Sequence, residues 1–600
     1  MELNWCLKEI YPSFGSEEFK SDLESLKYII ELINEWSNEV TVDKENIVLK
    51  LEEYIKKFTK FTDLASKLSI YINLVLSVDT TDKDGLKYSD IIEKKLTEIV
   101  ESSTKLERWI SSVENIDEVI SKSRLLKDHE FILKNIIENS GYLLSDKEEN
   151  IIARMKNTGS NAWLKLKDKL ISNLKVEIEE NGEIKYLPLT LVLNMAYDKD
   201  SIVRKKAYEA EIASYKAIEE GIAAALNGIK GEVLTVCDLR GYKSPLEQTL
   251  KDSRMDAESL DAMISAMKKS LPMFRKYLRR KAEILGYKNG LPFYELYAPI
   301  NDVDMKFNYE DGTKFVIKNF STFSNNLANF AKKAIDNAWI DVMPKSGKVG
   351  GAFCENLHFI GESRFLLNYG ESFGDVVTLA HELGHGFHGE CLNNETTLNS
   401  DYPMPIAETA STFCETIIKK AAIKEATQDE ALSILETEIS DCTQVIVDIY
   451  SRFLFEKSFF EARKESALSV EEIKELMLTS QREAYGDGLD PNYLHPYMWT
   501  WKPHYYYADS NFYNFPYAFG LLFAKGLYAE YLKKGDSFPD EYEKLLSITG
   551  KNRIADVTKV MGIDIHDREF WENSLKTIEE DIEEFMKLSD KLLKNICTIK

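Results

Sequence analysis

Cysteine is scarce in this 600-residue chain: seven thiols (Cys6, Cys237, Cys354, Cys391, Cys414, Cys442 and Cys597) with no CxxC pair among them. So odd and scattered a set excludes a disulfide framework or a structural zinc cluster and reads as reduced, largely buried thiols. Basic residues are in deficit, 76 against 100 acids for a net charge of −24, which argues against nucleic acid or an anionic membrane as a main partner. Long apolar runs are missing too. The strongest, Leu68 to Val78, includes Ser69 and Asn73 and is about half of the roughly 20 residues that span a bilayer, so no membrane segment is expected. The opening Met1-Glu2-Leu3-Asn4-Trp5 lacks the basic start and apolar run of a signal peptide, and a cytoplasmic location is expected. No internal repeat or low-complexity tract occurs.

What is present is mostly helical periodicity. From Ser16 to about Leu170, apolar and charged residues recur at three- and four-residue spacing, as in Phe19-x-x-Asp22-Leu23 and Leu51-x-x-Tyr54-Ile55-x-x-Phe58. Alternating residues around Asn181-Gly182 then predict a β-hairpin. A chain of this length is expected to form two domains: residues 1–195, helical and closing with the hairpin, and residues 196–600. Helical spacing returns from Asp198 to Leu285, broken near Gly241 to Pro245. Between Leu291 and Tyr369, short β-prone runs (Met305–Tyr309, Gly350–Cys354, Ser363–Tyr369) predict a small sheet; beyond Asp375 the pattern is helical again. The expected fold class is mainly α with a small β-sheet.

Only eight histidines occur, and two of them fall in His381-Glu382-Leu383-Gly384-His385. On an α-helix these two imidazoles are about 40° apart around the axis and roughly 6 Å along it, so both reach one metal ion. Glu382 follows the first ligand, where a carboxylate serves as general base. Asp375 is placed to cap the helix and Val376, Val377 and Leu379 to bury one face.

A catalytic zinc site takes three protein ligands and keeps a position for water. His388 is roughly 10 Å further along the helix than His381, too far to share the ion, and Glu390 faces nearly the opposite way. Glu408 is the better candidate. Small residues crowd around it, and Pro405 suits the first turn of a second helix packed closely across the first. Glu415, two turns on along the same face, either orients a ligating imidazole by accepting its free N–H or is a surface carboxylate.

A second concentration lies at 495–520, where two more histidines stand among aromatics: His495-Pro-Tyr-Met-Trp499, Lys502-Pro-His504-Tyr-Tyr-Tyr507 and Asn511-Phe-Tyr513-Asn-Phe-Pro-Tyr517. Amide hydrolysis needs donors aimed at the developing oxyanion, and Tyr O–H or His N–H groups serve. Tyr505, Tyr506 and the phenylalanines are expected to pack.

With both clusters read, the sequence resembles the oligoendopeptidase F group of the thimet-oligopeptidase-like zinc metallopeptidases. The likeness runs through Trp5-x-Leu7, Asp198-x-Asp-x-x-Val-Arg204, Leu296-Tyr-Ala-Pro299, Ser346-Gly-Lys-Val-Gly-Gly-Ala-Phe353, Thr378 to His388, Glu408-Thr-Ala-Ser-Thr-Phe-x-Glu415 and Phe512 to Gly520. It implies a helical N-terminal domain and a helical zincin-type catalytic domain flanking a deep substrate channel. It also implies one Zn2+ per chain on His381, His385 and Glu408, and Glu382 as base. His504, Tyr513 and Tyr517 become transition-state donors, with Tyr507 an alternative to Tyr517. Gly350 and Gly351, whose lack of side chains permits close approach, and His388 are expected to meet substrate. The implied activity is internal cleavage of short unstructured oligopeptides, without nucleic-acid or membrane partners. A zinc carboxypeptidase would need a group for a free C-terminal carboxylate, which the sequence does not display, and a non-catalytic peptide-binding protein would have no need of Glu382.

Overall fold

The computed structural model of the chain describes residues 2–180, 182–301, 303 and 305–599, the side chains of 180 and 594–599 excepted. Asn181 and the Cys597 thiol, singled out in the sequence, lie outside the described residues; the other six cysteines are free thiols, three of them buried. As the periodicity predicts, the fold is mainly α, with a two-stranded and a three-stranded sheet.

The chain forms two compact units, each assembled from separate stretches: Met1–Leu143, Met305–Ala421 and Tyr531–Gly562 make one, and Leu144–Asp304, Ala422–Glu530 and Ile563–Lys600 the other. A boundary after residue 195 is therefore not where the folded chain divides. The reason is long-range packing that local periodicity does not encode. Leu357 is fully buried in the same core as Leu26, Leu51, Leu68 and Leu106. Nearby, His129 Nε2 and Thr396 Oγ1 are 2.8 Å apart, and Asn399 donates to the Asp128 carbonyl at 2.8 Å.

In the first unit, helices Glu17–Val40 and Ile47–Val78 pack together. Ser16 caps the former, accepting from the Phe19 amide, and Phe19, Leu23, Leu26, Ile30 and Ile33 form its buried stripe. The second helix, at 32 residues with a mean hydropathy of 1.2 over its most apolar 18, matches a bilayer span in length and composition, beyond what the Leu68–Val78 run suggests. Its Leu51, Ile55, Leu68 and Ile72 are buried in the core of this unit.

The small sheet of this unit contains β3 (Ile340–Asp341), β4 (Phe353–Leu357) and β5 (Glu362–Leu366), β1 and β2 being the hairpin of the other unit. The order is β3-β5-β4, with β3 parallel and β4 antiparallel to β5 and Cys354 opposite Phe365, so β4 is an edge strand. Of the three predicted runs, Met305–Tyr309 is not a strand. Asn308 accepts from the Asp311 amide and starts a helix at Tyr309 instead, leaving a single bridge between Lys306 and Ser372. Gly350 and Gly351 also stand outside the strand, in a bend ahead of β4; Gly351 has φ +80°, which favours glycine.

In the second unit the hairpin pairs β1 (Lys175–Glu180) with β2 (Glu183–Pro188) and packs on helix Ser201–Ser214. Helix Ser160–Asn173 lies against Glu219–Arg240, where a Cβ on Gly228 would fall 2.6 Å from Trp163 Nε1. Gly241 ends that helix in the left-handed region and Pro245 starts the next, the predicted break. Helix Ile449–Arg463 follows directly on a π-helical stretch, Gln444–Asp448.

Candidate metal centre and active site

The HExxH segment lies in the middle of helix Phe373–Leu392. Its N-cap is Ser372, which accepts from the Asp375 amide while Asp375 accepts from the Ser372 amide, a reciprocal capping box. Asp375 is thus the third residue of the helix rather than its cap.

Glu408 stands on helix Met404–Glu425, which crosses the first closely. Gly384 is the contact point: a Cβ there would sit 2.6 Å from the Ala410 carbonyl oxygen and 2.7 Å from Ser411 Cα. This approach brings the imidazoles and carboxylate together. His381 Nε2 and His385 Nε2 are 3.1 Å apart, and Glu408 Oε2 is 3.4 Å from the first and 3.5 Å from the second. One ligand atom from each residue lies within 4.8 Å of the others, a cage for one metal ion. Two imidazoles and a carboxylate suit zinc, leaving one coordination position for water. Ser411 Oγ donates to Glu408 Oε2 at 3.1 Å and fixes the carboxylate.

Glu415 is not a surface carboxylate. His381 Nδ1 lies 2.6 Å from its Oε1, and Lys419 donates to its Oε2 at 2.8 Å. Such a partner selects the His381 tautomer that leaves Nε2 free to ligate. Burial disfavours the Glu415 carboxylate, but Lys419 and His381 outweigh it and hold the pKa down to about 2. Lys419 escaped the sequence reading, although its i,i+4 spacing from Glu415 was the available signal.

Burial likewise opposes the charge on His381, yet Glu415, Glu382 and Glu408 raise its pKa, whereas burial and His381 lower that of His385. Glu382 is only 5% exposed; burial pushes its carboxyl up to about 7, against the pull of His381 and with Glu408 and Glu415 adding to the rise. A carboxyl so poised exchanges protons near neutrality. Beneath the helix, Asn356 of β4 donates to the His385 carbonyl at 3.3 Å, and a Cβ on Gly389 would meet its side chain.

His388 is not at the surface where substrate could meet it. It is fully buried, stacked on Tyr402 at 3.9 Å between ring centres, with Nε2 2.8 Å from Thr549 Oγ1. The i+7 position shares the direction of His381 but points two turns deeper into the protein. Gly350 and Gly351 remain open, with nothing within 4 Å of an added Cβ, and Asn368 Nδ2 pins the bend by donating to the Val349 and Gly351 carbonyls at 3.0 and 2.8 Å.

In the second unit, His504, Tyr507, Tyr513 and Tyr517 form one half-buried ring cluster. His504 stacks on Tyr513 at 5.0 Å, with Tyr507 and Tyr517 6.1 and 6.4 Å from His504. Burial lowers the His504 pKa, with Arg452 adding to the effect. Tyr505 and Tyr506 are buried, as packing residues should be, Tyr506 donating to the Trp499 carbonyl at 2.8 Å.

Two helices that converge two imidazoles and one carboxylate, with a second glutamate beside the first ligand, define a metallohydrolase centre. The peptidase family M3 model matches residues 194–577 and the oligopeptidase F model residues 112–175. The chain belongs to peptidase family M3, in its oligoendopeptidase F group, and is a metallopeptidase. It is 25% identical over 598 residues to an oligoendopeptidase F homolog of Lactococcus lactis subsp. lactis, with 98% of each chain covered. It is 23% identical to oligopeptidase PepF of Bacillus subtilis, over 98% of this chain and 88% of that one. In fold it is similar to a crystal structure from Chlamydophila abortus, assigned as a peptidase (TM-score 0.83, 21% identity, 98% of each chain). It is also similar to oligoendopeptidase-F from Enterococcus faecium (TM-score 0.69, 17% identity, 96% and 99%).

Proposed function

We propose that the protein is a zinc-dependent endopeptidase that cleaves internal bonds of short, unstructured oligopeptides. The observation that carries this reading is the meeting of His381, His385 and Glu408 beside buried Glu382. His381, His385 and Glu408 would hold the ion. Bound there, zinc supplies Lewis-acid polarisation of the peptide carbonyl and acidifies water. Glu382 takes the proton from the attacking water and passes it to the leaving amine, the role its raised pKa suits. Glu415 holds the His381 ring. His504 and Tyr513, with Tyr517 or Tyr507, donate to the oxyanion. The free edge of β4 and the open Gly350-Gly351 bend accept the substrate backbone as an added strand. The names of the relatives, oligoendopeptidase and oligopeptidase, support the substrate class.

The test is digestion of a defined peptide ladder by the pure protein, with products identified by mass spectrometry and metal content measured in parallel. Internal cuts that a zinc chelator abolishes are expected, with casein and folded proteins left intact. Release of single C-terminal residues would instead make it a carboxypeptidase, and binding without cleavage a peptide-binding protein.

A further inference from the structure

Residues 511–514, which present Tyr513, are held from both sides by charged groups that the hydrolytic chemistry does not use. On one side, Lys230, itself 1% exposed, donates to Glu456 Oε1 at 2.7 Å and to Asn511 Oδ1 at 2.9 Å. On the other, Arg452 Nη1 donates to Asn514 Oδ1 at 3.2 Å while its guanidinium pairs with Asp448, which also accepts from the Tyr485 hydroxyl at 3.3 Å. Between them the ring of Phe512 lies 5.5 Å from Phe453 and 5.7 Å from Phe460. Arg452, Phe453 and Phe460 all belong to helix Ile449–Arg463, so one helix grips the segment at three points, and Glu456 of the same helix holds Lys230.

The grip has a cost to offset. Phe512 adopts φ +52°, a conformation that an aromatic residue takes only when its surroundings impose it. Both asparagines are 3% exposed, so neither hydrogen bond is open to exchange with solvent. The product of this arrangement is a Tyr513 ring stacked on His504, whose imidazole also interacts with the Asn514 side chain. Asp448 ends the π-helical stretch, an irregularity found frequently at functional sites.

We infer that Arg452 and Asn514, with Lys230 and Asn511 as a second clasp, are positioning residues: they fix the Tyr513 phenol for oxyanion donation. This rests on the reading of Tyr513 as an oxyanion donor. Asn514→Ala removes the clasp while leaving Asp448 and Arg452 paired, so it avoids stranding a buried charge. It should lower kcat on a short peptide by roughly tenfold or more with KM little changed, because the loss falls on the transition state. Arg452→Lys should keep more activity than Arg452→Met.

The deciding measurement is a double-mutant cycle with Tyr513→Phe, read alongside the 19F spectrum of 3-fluorotyrosine at position 513. If Asn514 acts through Tyr513, the double variant is no slower than Tyr513→Phe alone, and Asn514→Ala replaces one sharp fluorine line by several. Additive losses, or an unchanged spectrum, would overturn the clasp. An unchanged kcat in Tyr513→Phe itself would instead remove the donor role on which the clasp depends, whatever the spectrum shows. Thermal midpoint and metal content of each variant separate these outcomes from misfolding.

Discussion

Gly384 and Ala410 are the pair at which the helices carrying His381, His385 and Glu408 approach most closely: a methyl group on Gly384 would lie 2.6 Å from the Ala410 carbonyl oxygen. Backbone cannot yield as the tip of a flexible side chain does, so Gly384→Ala must push the helices apart. Overpacking of this kind costs about 1–3 kcal/mol. It also withdraws Glu408, two residues from Ala410, from the two imidazoles. The variant should melt at lower temperature and lose zinc to a chelator at a concentration that leaves the parent loaded. Unchanged metal retention would show that Glu408 does not depend on this contact.

Glu382→Gln preserves the shape of the buried side chain and leaves His381, His385 and Glu408 in place, but removes the proposed proton acceptor. Stoichiometric zinc with nearly all turnover lost is therefore expected, the fall appearing in kcat. Metal analysis beside steady-state kinetics checks it. Substantial turnover would mean that another group takes the proton.

The contrast between these two positions shows what a linear sequence discloses about a site. The donor spacing of His381 and His385 follows from the helical repeat alone, and the small residues around Glu408 betray a close crossing before any coordinates exist. For Glu415 the spacing left two roles open, and only the 2.6 Å contact with His381 decides between them. Periodicity gives the direction of His388 but not its depth, so a residue aligned with a ligand proves to be core. The hairpin and the break at Gly241 were legible because turn chemistry is local. The interleaving of Leu357 with the first 143 residues was not, because burial there is decided by partners hundreds of positions away.

Glu415→Gln should weaken zinc binding by about 10–100-fold, the usual cost of removing a carboxylate that orients a ligating histidine. Lys419→Met should act in the same direction and less strongly, since it removes the cation that holds Glu415 ionised but leaves the carboxylate against His381. Competition with a chelator of known affinity measures both. Equal affinity in Glu415→Gln and the parent would leave the 2.6 Å contact without a role in the metal centre.

His388 gives a prediction in pH. Its ordinary pKa of 6.5 applies in the unfolded chain, whereas burial, with His385 adding, brings it down to about 3 in the folded protein. Below pH 6.5 the unfolded state therefore binds a proton that the folded state refuses. Stability from this residue is complete above pH 6.5 and falls as the solution is acidified towards pH 3, by about 1.4 kcal/mol per pH unit. His388→Gln cannot titrate and has no such slope. At pH 7 the variant should melt below the parent, because the stacking on Tyr402 is lost. By pH 5 the gap should narrow by the equivalent of about 2 kcal/mol. Thermal melts of both proteins at the two pH values read this directly, other titrations cancelling in the difference. KM for a short peptide should be unaltered at pH 7, since a fully buried ring has no surface to offer substrate. A raised KM with a gap that does not depend on pH would return His388 to the substrate site and contradict its burial.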